Sequence, residues 1–213
     1  MLRVLLVYKF GGFYFDSDFV ILSSLTGLRN VVASDQVSDG DKFNDKNELL
    51  VGNSVTNAMF HFSRGAPILQ LALVILERVY DPYSWTSVGP DLLQRSLLTQ
   101  CGYPLSQPLR SLAMTREQFS RERCGGVQLL DYKSFFPVGW MNQGLLRDPK
   151  RRKSEWYEMF QHSYGVHFYH SSSQSARVGD IRSPRHYGAR RPAYLTLALD
   201  HCPVSYWSKD NSF

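Results

Sequence analysis

Tyr8-Lys9-Phe10-Gly11-Gly12-Phe13-Tyr14-Phe15-Asp16-Ser17-Asp18-Phe19-Val20-Ile21-Leu22 is the stretch on which the reading of this chain turns. Phe13, Tyr14 and Phe15 before the two aspartates, and Phe19, Val20, Ile21 and Leu22 after them, are β-prone and largely apolar. Two charges therefore stand in the middle of an otherwise buried run, where a charge needs a partner or a metal. Carboxylates at i and i+2 project to the same side of an extended strand, so a strand running out into a short turn can aim Asp16 and Asp18 at one divalent cation. Hard oxygen ligands of this kind suit Mn²⁺ or Mg²⁺, which usually keep open positions for substrate phosphates. A bare Asp-x-Asp is common in solvated turns; the apolar flanks set this one apart.

Working outward, residues 2–8 read as a helix that leads into the strand, and residues 23–28 as a turn with a short helical segment. The polar run 38–48 reads as an exposed loop, and an EF-hand reading of it fails because Phe43 stands at the third ligand position when Asp39 is the first. Residues 49–51 and 54–62 read as short strands that pair or continue the sheet, and a long helix follows over 67–80. Gly89-Pro90 opens the next helix, with proline where its missing N–H does no harm, and Leu92, Leu93, Leu97 and Leu98 form its inward stripe. A short helical stretch is expected around 115–121, strands at 127–130, 135–138 and 164–169, and a last helix over 192–200. Strands alternating with helices imply an α/β fold.

The chain has 213 residues, 43% hydrophobic and 14% aromatic, enough to bury one substantial core and most simply a single domain over 1–213. A net charge of +5 fits an anionic partner, yet the excess is scattered and no nucleic-acid module is present, so nucleic acid is not the expected partner. The basic run Lys150-Arg151-Arg152-Lys153 is short, sits beside Asp148 and Pro149, and reads as a solvated loop. The longest apolar run, 67–76, is well short of the roughly 20 residues of a bilayer span and reads as a buried helix. The apolar start, Met1-Leu2-Arg3-Val4-Leu5-Leu6-Val7, lacks a small-residue cleavage site. Cys101, Cys124 and Cys202 could all be inert core thiols on numbers alone.

Four segments in order carry a family resemblance. The run from Lys9 to Phe19, then Thr56-Asn57-Ala58-Met59-Phe60, then Trp85-Thr86-Ser87-Val88-Gly89-Pro90-Asp91-Leu92-Leu93, then Val166-His167-Phe168-Tyr169 with the pair Ser173-Gln174, resemble the motifs of the alpha-1,4-glycosyltransferases, a family of DXD sugar transferases. The likeness extends over nearly the whole chain, with a DXD region at 8–22 and an acceptor and metal region at 85–207. It implies a GT-A nucleotide-sugar fold, a Rossmann-like mixed sheet flanked by helices and here lacking its first N-terminal strands. It also implies a UDP-sugar donor with Mn²⁺ or Mg²⁺, and alpha-1,4 transfer of galactose or N-acetylgalactosamine, with retention, to the terminal sugar of a glycosphingolipid in the Golgi. Family members carry an N-terminal membrane anchor ahead of the DXD region, so a truncated chain is expected, joined to a membrane only through an anchor outside it.

By the same resemblance Asp18 would bind the metal directly, Asp16 would contact ribose and metal, and His167 would be the third ligand. Gly11 and Gly12 would allow close approach of the donor, although a plain helix C-cap explains Gly11-Gly12 as well. Asn57, Trp85 and Gly89 are candidates for binding acceptor sugar, against the alternatives of a turn residue for Asn57 and a core ring for Trp85. Asp91 reads as a carboxylate favoured at a helix N-terminus. Paired cysteines in the family imply a Cys101–Cys124 bridge, leaving Cys202 as the odd one. Tyr169 stands where the family has tryptophan, an aromatic wall in either case, and Ser87 and Val88 depart from the polar residues of some members. No nucleophile is assigned, and a front-face reaction is what the resemblance implies. The runner-up reading is a catalytically inactive homologue that serves as a carbohydrate-binding or scaffold domain.

Overall fold

A computed structural model describes residues 1–35, 48–50, 55–106, 113–115, 121–169 and 190–203. The described elements are α1 (Leu2–Phe10), β1 (Gly12–Phe15), β2 (Phe19–Ile21), β3 (Val31–Ser34), β4 (Glu48–Leu50), β5 (Val55–Phe62), α2 (Pro67–Val79), α3 (Pro90–Gln100), β6 (Ala113–Thr115), β7 (Gln128–Leu130), α4 (Lys153–Phe160), β8 (Gly165–His167) and α5 (Ala193–His201). Two 3₁₀ segments, Tyr132–Ser134 and Trp140–Arg147, lie between β7 and α4. The fold is mixed α/β. The chain divides into two compact units, Met1–Asp16 with Thr26–Asp131, and Ser17–Leu25 with Tyr132–Phe213.

The first unit is built on a four-stranded mixed sheet in the order β1-β5-β3-β7. β5 is central and pairs antiparallel with β1 and with β3, while β3 pairs parallel with β7. As the central strand it has both edges paired, and Ala58, Met59, Phe60, His61 and Phe62 are all buried. Helix α1 ends at Gly11, whose φ of +73° is costly for any residue with a Cβ; a Cβ here would also stand 2.8 Å from the Arg64 backbone nitrogen. Helix α2 opens with Pro67 and buries Ile68, Leu69, Ala72 and Ile75 on one stripe. Helix α3 buries Leu92, Leu93, Leu97 and Leu98 as its spacing predicts, and these side chains join Val4, Val7, Phe60 and Phe62 in one core.

At the end of α3, Cys101 and Cys124 are joined by a disulfide across 23 residues. The same two segments are tied by Gln100 Nε2 donating to the Cys124 carbonyl at 2.7 Å and by Arg123 Nε donating to the Cys101 carbonyl at 2.9 Å. Cys202 is a free thiol, half-buried.

The second unit pairs β2 with β8 antiparallel, Phe19 opposite His167 and Ile21 opposite Gly165. Helices α4 and α5 are tied by a polar knot: Lys153 Nζ lies 2.5 Å from Asp200 Oδ2, and the Tyr157 hydroxyl donates to the same oxygen at 2.5 Å and lies 3.1 Å from His201 Nε2. Burial, Asp200's hydrogen bond and Asp200's charge push the Tyr157 hydroxyl's pKa up. Burial works to raise the Asp200 carboxyl, but Lys153 and Tyr157 outweigh it and hold the pKa below the usual value. Beneath the knot, Trp156 is fully buried, stacks on Phe160 and donates from Nε1 to the Arg191 carbonyl at 2.8 Å.

Several expectations from sequence are corrected. Residues 23–28 hold no helix: Leu22 and Ser23 donate to the Tyr164 carbonyl, and Gly27 adopts φ +96°. Residues 135–138 are not a strand. The amides of Phe135 and Phe136 close the 3₁₀ turn on the Tyr132 carbonyl, and their rings are buried against Phe19. The stretch is apolar because it fills the core rather than because it joins a ladder. β4 pairs with β6 and not with β5. The basic run does not end in a loop, because Lys153 begins α4, where Glu155 accepts a 2.5 Å bond from the Arg152 amide at the helix start. The loop expected over 38–48, apart from its last residue, the pair Ser173-Gln174, and residues 116–120 of the expected 115–121 helix lie outside the described residues.

Two predictions come from the packing. A bridge closing a loop of this size contributes about 3 kcal/mol through the unfolded state, so reduction, or Cys124→Ser, lowers the unfolding free energy extrapolated from urea denaturation, followed by circular dichroism, by that amount, with a matching fall in the midpoint. The second concerns His61 in β5. Burial, and then the nearby Arg29 charge, lower its imidazole pKa below 6.5, and Asn30 donates its amide to Nδ1 at 3.1 Å, a bond that requires this nitrogen unprotonated. The unfolded chain thus takes up the proton first as pH falls. Stability is full above pH 6.5, is lost as pH falls from there through the lowered folded value, and His61→Gln flattens that part of the stability curve.

Candidate metal and donor site

As the reading of a strand running out into a short turn expects, Asp16-Ser17-Asp18 follow the end of β1 and make the turn into β2; the two strands belong to different sheets. Asp16 is the last residue of the first unit's opening segment, and Asp18 the second of the other unit's.

In the second unit, Asp18 precedes β2 and His167 ends β8. Their pairing sets His167 opposite Phe19, and the Phe168 amide donates to the Asp18 carbonyl at 3.0 Å, which extends the ladder by one bond. His167 Nε2 lies 3.0 Å from Asp18 Oδ1, a contact across 149 residues of sequence. The imidazole is 8% exposed and walled by rings: Phe19 stacks on it at 4.7 Å, Tyr169 meets it at 4.3 Å and Phe136 at 5.6 Å. Tyr169 thus fills the role of aromatic wall, and it does so from a left-handed conformation, φ +52°, which is uncommon for a bulky residue. A half-buried carboxylate and a buried imidazole held within hydrogen-bond distance form a donor set suited to a borderline or hard divalent cation, Mn²⁺ included.

In the first unit, Asp16 is held on several sides. Its amide donates to the Ala58 carbonyl at 2.9 Å, and its Oδ1 accepts from the Tyr14 hydroxyl at 2.7 Å and pairs with Arg3 Nη1 at 3.0 Å. The Arg3 guanidinium also donates to the Asn57 carbonyl at 2.9 Å and lies over the Tyr14 ring, 4.8 Å from its centroid. Neither Arg3 nor Tyr14 is among the site residues expected from sequence. Tyr14 has a usable signal: it stands on β1 two residues before Asp16, and the Asp16 amide's bond to the Ala58 carbonyl carries the strand's alternation one residue past its end. Arg3 has none, since only the packing of α1 against β1 and β5 brings it there.

Asn57 and Gly89, both expected to bind acceptor, are brought together: a Cβ on Gly89 would lie 2.7 Å from Asn57 Nδ2. The side-chain amide thus sits against the start of α3, and Gly89 is the residue that leaves it room. Trp85 is 86% exposed, so it is not a core ring. Asp91 lies in the first turn of α3 and accepts from Thr86 Oγ1 at 2.6 Å, the role of a helix N-terminal carboxylate. Ser87 is buried, its hydroxyl bonded to the carbonyls of Asp81 and Ser84, which closes the loop before α3. Gly11 serves as the end of α1, and Gly12, at φ +101°, begins β1 in a conformation that glycine reaches without strain.

Residues 61–208 match the model of the alpha 1,4-glycosyltransferase conserved region. Lactosylceramide 4-alpha-galactosyltransferase of Gorilla gorilla gorilla is 28% identical over 205 residues, covering 96% of this chain and 51% of that protein, and the Homo sapiens enzyme of the same name is 27% identical, covering 96% and 48%. The alpha-1,4-N-acetylglucosaminyltransferase of Homo sapiens is 22% identical over 206 residues, 96% of this chain and 49% of that protein. The chain thus spans about half the length of these curated relatives. No solved structure gives a significant match. Among the described residues no helix is long and apolar enough to cross a membrane. The matched region, which holds the described β8 with His167 and the whole of α3, takes in more than half of the sequence, and the chain belongs to the alpha-1,4-glycosyltransferase family.

Proposed function

We propose that this chain carries the donor-binding and metal-binding part of a UDP-sugar-dependent alpha-1,4-hexosyltransferase of GT-A type. The donor sugar is galactose or N-acetylgalactosamine, and the acceptor is the terminal sugar of a glycosphingolipid in the Golgi lumen. The observation that carries the proposal is the 3.0 Å contact between Asp18 and His167, which joins the early Asp-x-Asp motif to a histidine within the matched region. The relatives' names diverge on the donor sugar, galactose in one and N-acetylglucosamine in the other. The higher identity to the galactosyltransferases favours galactose or its N-acetylated amine.

In this reading Asp18 and His167 of the second unit would hold Mn²⁺ or Mg²⁺, and Asp16 is the further ligand that the family resemblance implies. When bound, the ion supplies Lewis acidity toward the diphosphate leaving group. The chain's own residues do the rest. The β2–β8 register fixes the imidazole, and the rings of Phe19, Phe136 and Tyr169 keep water from its faces and hold its orientation. Arg3 and Tyr14 fix the Asp16 carboxylate. Asn57, seated against Gly89, presents an amide to acceptor hydroxyls, and the exposed Trp85 offers a face for sugar stacking. Transfer proceeds on the front face, the alpha configuration of the donor being kept.

The test is turnover of UDP-galactose and UDP-N-acetylgalactosamine by the purified chain, as hydrolysis and as transfer to a lactosyl acceptor, with Mn²⁺ and with chelator. Mn²⁺-dependent turnover that falls by at least about a hundredfold in Asp18→Ala is the expected result, in line with the loss of a metal ligand. No metal-dependent turnover, together with binding of the glycolipid headgroup, would instead favour a carbohydrate-binding module.

A further inference from the structure

We propose that Arg3 and Tyr14 are positioning residues for the metal-binding carboxylate of Asp16, a reading that rests on the metal site put forward above. Both donors converge on one oxygen, Oδ1: the Tyr14 hydroxyl at 2.7 Å and Arg3 Nη1 at 3.0 Å. Two donors on one oxygen remove the rotation of the carboxylate about its χ2 bond, a torsion that is otherwise broad. The group is thus presented to an incoming cation in one orientation, and no conformational freedom remains to be lost on binding.

Arg3 is itself fixed, by its bond to the Asn57 carbonyl at 2.9 Å and by the Tyr14 ring beneath it at 4.8 Å. The clamp is therefore a closed set. α1 supplies Arg3, β1 supplies Tyr14, β5 supplies Asn57, and the Asp16 amide is anchored on β5 at the Ala58 carbonyl. A lysine in place of Arg3 keeps the charge but lacks the flat guanidinium that lies over the Tyr14 ring while its Nη1 reaches both the Asn57 carbonyl and Asp16. The arrangement has the form of the outer hydrogen bonds that orient ligands in metal sites.

Two substitutions keep the net charge unchanged and so separate orientation from field: Tyr14→Phe, which removes one donor and leaves the ring under Arg3, and Arg3→Lys. Mn²⁺ binding to the full chain without donor is followed by loss of the free-ion signal in electron paramagnetic resonance, and the melting temperature is read on the same samples without metal. Tyr14→Phe is expected to weaken Mn²⁺ binding about tenfold, within the range for loss of an outer-shell partner, with an unchanged metal-free melting temperature. Arg3→Lys is expected to weaken it by a similar factor, and the double variant by less than the product of the two, because both act on one oxygen. Mn²⁺ bound by the wild type and by Tyr14→Phe with equal affinity would overturn the positioning role and leave the metal site standing. Failure of the wild type to bind Mn²⁺ would overturn both.

Discussion

A carboxylate placed between two apolar strands must be partnered, because an ion left without water or a counter-group in such a place costs far more than a small domain's whole stability. This constraint acts twice within three residues. Asp16 meets it in the first unit with a guanidinium and a phenol. Asp18 meets it in the second with an imidazole. Each solution demands particular neighbours: α1 must lie where Arg3 reaches β1, and β8 must pair with β2 in the register that sets His167 opposite Phe19. A slip of one residue in that register would turn His167 to the other face of the ribbon and leave Asp18 without it.

The packing around the imidazole follows from the same demand. A histidine that is buried needs both its faces covered and its nitrogens satisfied, and the rings of Phe19, Phe136 and Tyr169 supply the cover. Phe136 can do this only because residues 135–138 leave the strand conformation and turn on the Tyr132 carbonyl. In the other unit, glycine at position 89 is matched to the Asn57 side chain in the same way, small where its neighbour needs room.

How much of this was legible in the sequence depended on the range of the interaction. Helix α2 was legible as the longest apolar run, too short to span a bilayer, and α3 because Leu92, Leu93, Leu97 and Leu98 recur at helical spacing. β5 was legible as a long apolar run with aromatic and β-branched residues. β3 was not: Val31, Val32, Ala33 and Ser34 are all buried, so neither alternation nor a helical period marks a run that short. α4 was hidden because its start lies in a basic run whose Lys153 is held by Asp200, a partner far along the chain. The Asp-x-Asp was legible from its flanks, whereas His167 came from the family resemblance. Arg3 carried no signal, since an arginine in a first helix has no local reason to reach residue 16.

The parallel pairing of β3 with β7 has a further consequence, for the order in which the first unit assembles. Val31 and Gln128 are ladder partners, so the sheet closes only across most of that unit's sequence, and contacts of such high separation are slow to form. The bridge between Cys101 and Cys124 lies just ahead of β7 and fastens that strand to the end of α3, a helix packed against β5. With the bridge made, the search that remains for β7 spans a few residues instead of the whole loop back to α3. A compartment that oxidises thiols would therefore hasten the folding of this chain as well as stabilise its product, and the sheet's last strand is the part whose arrival depends on it.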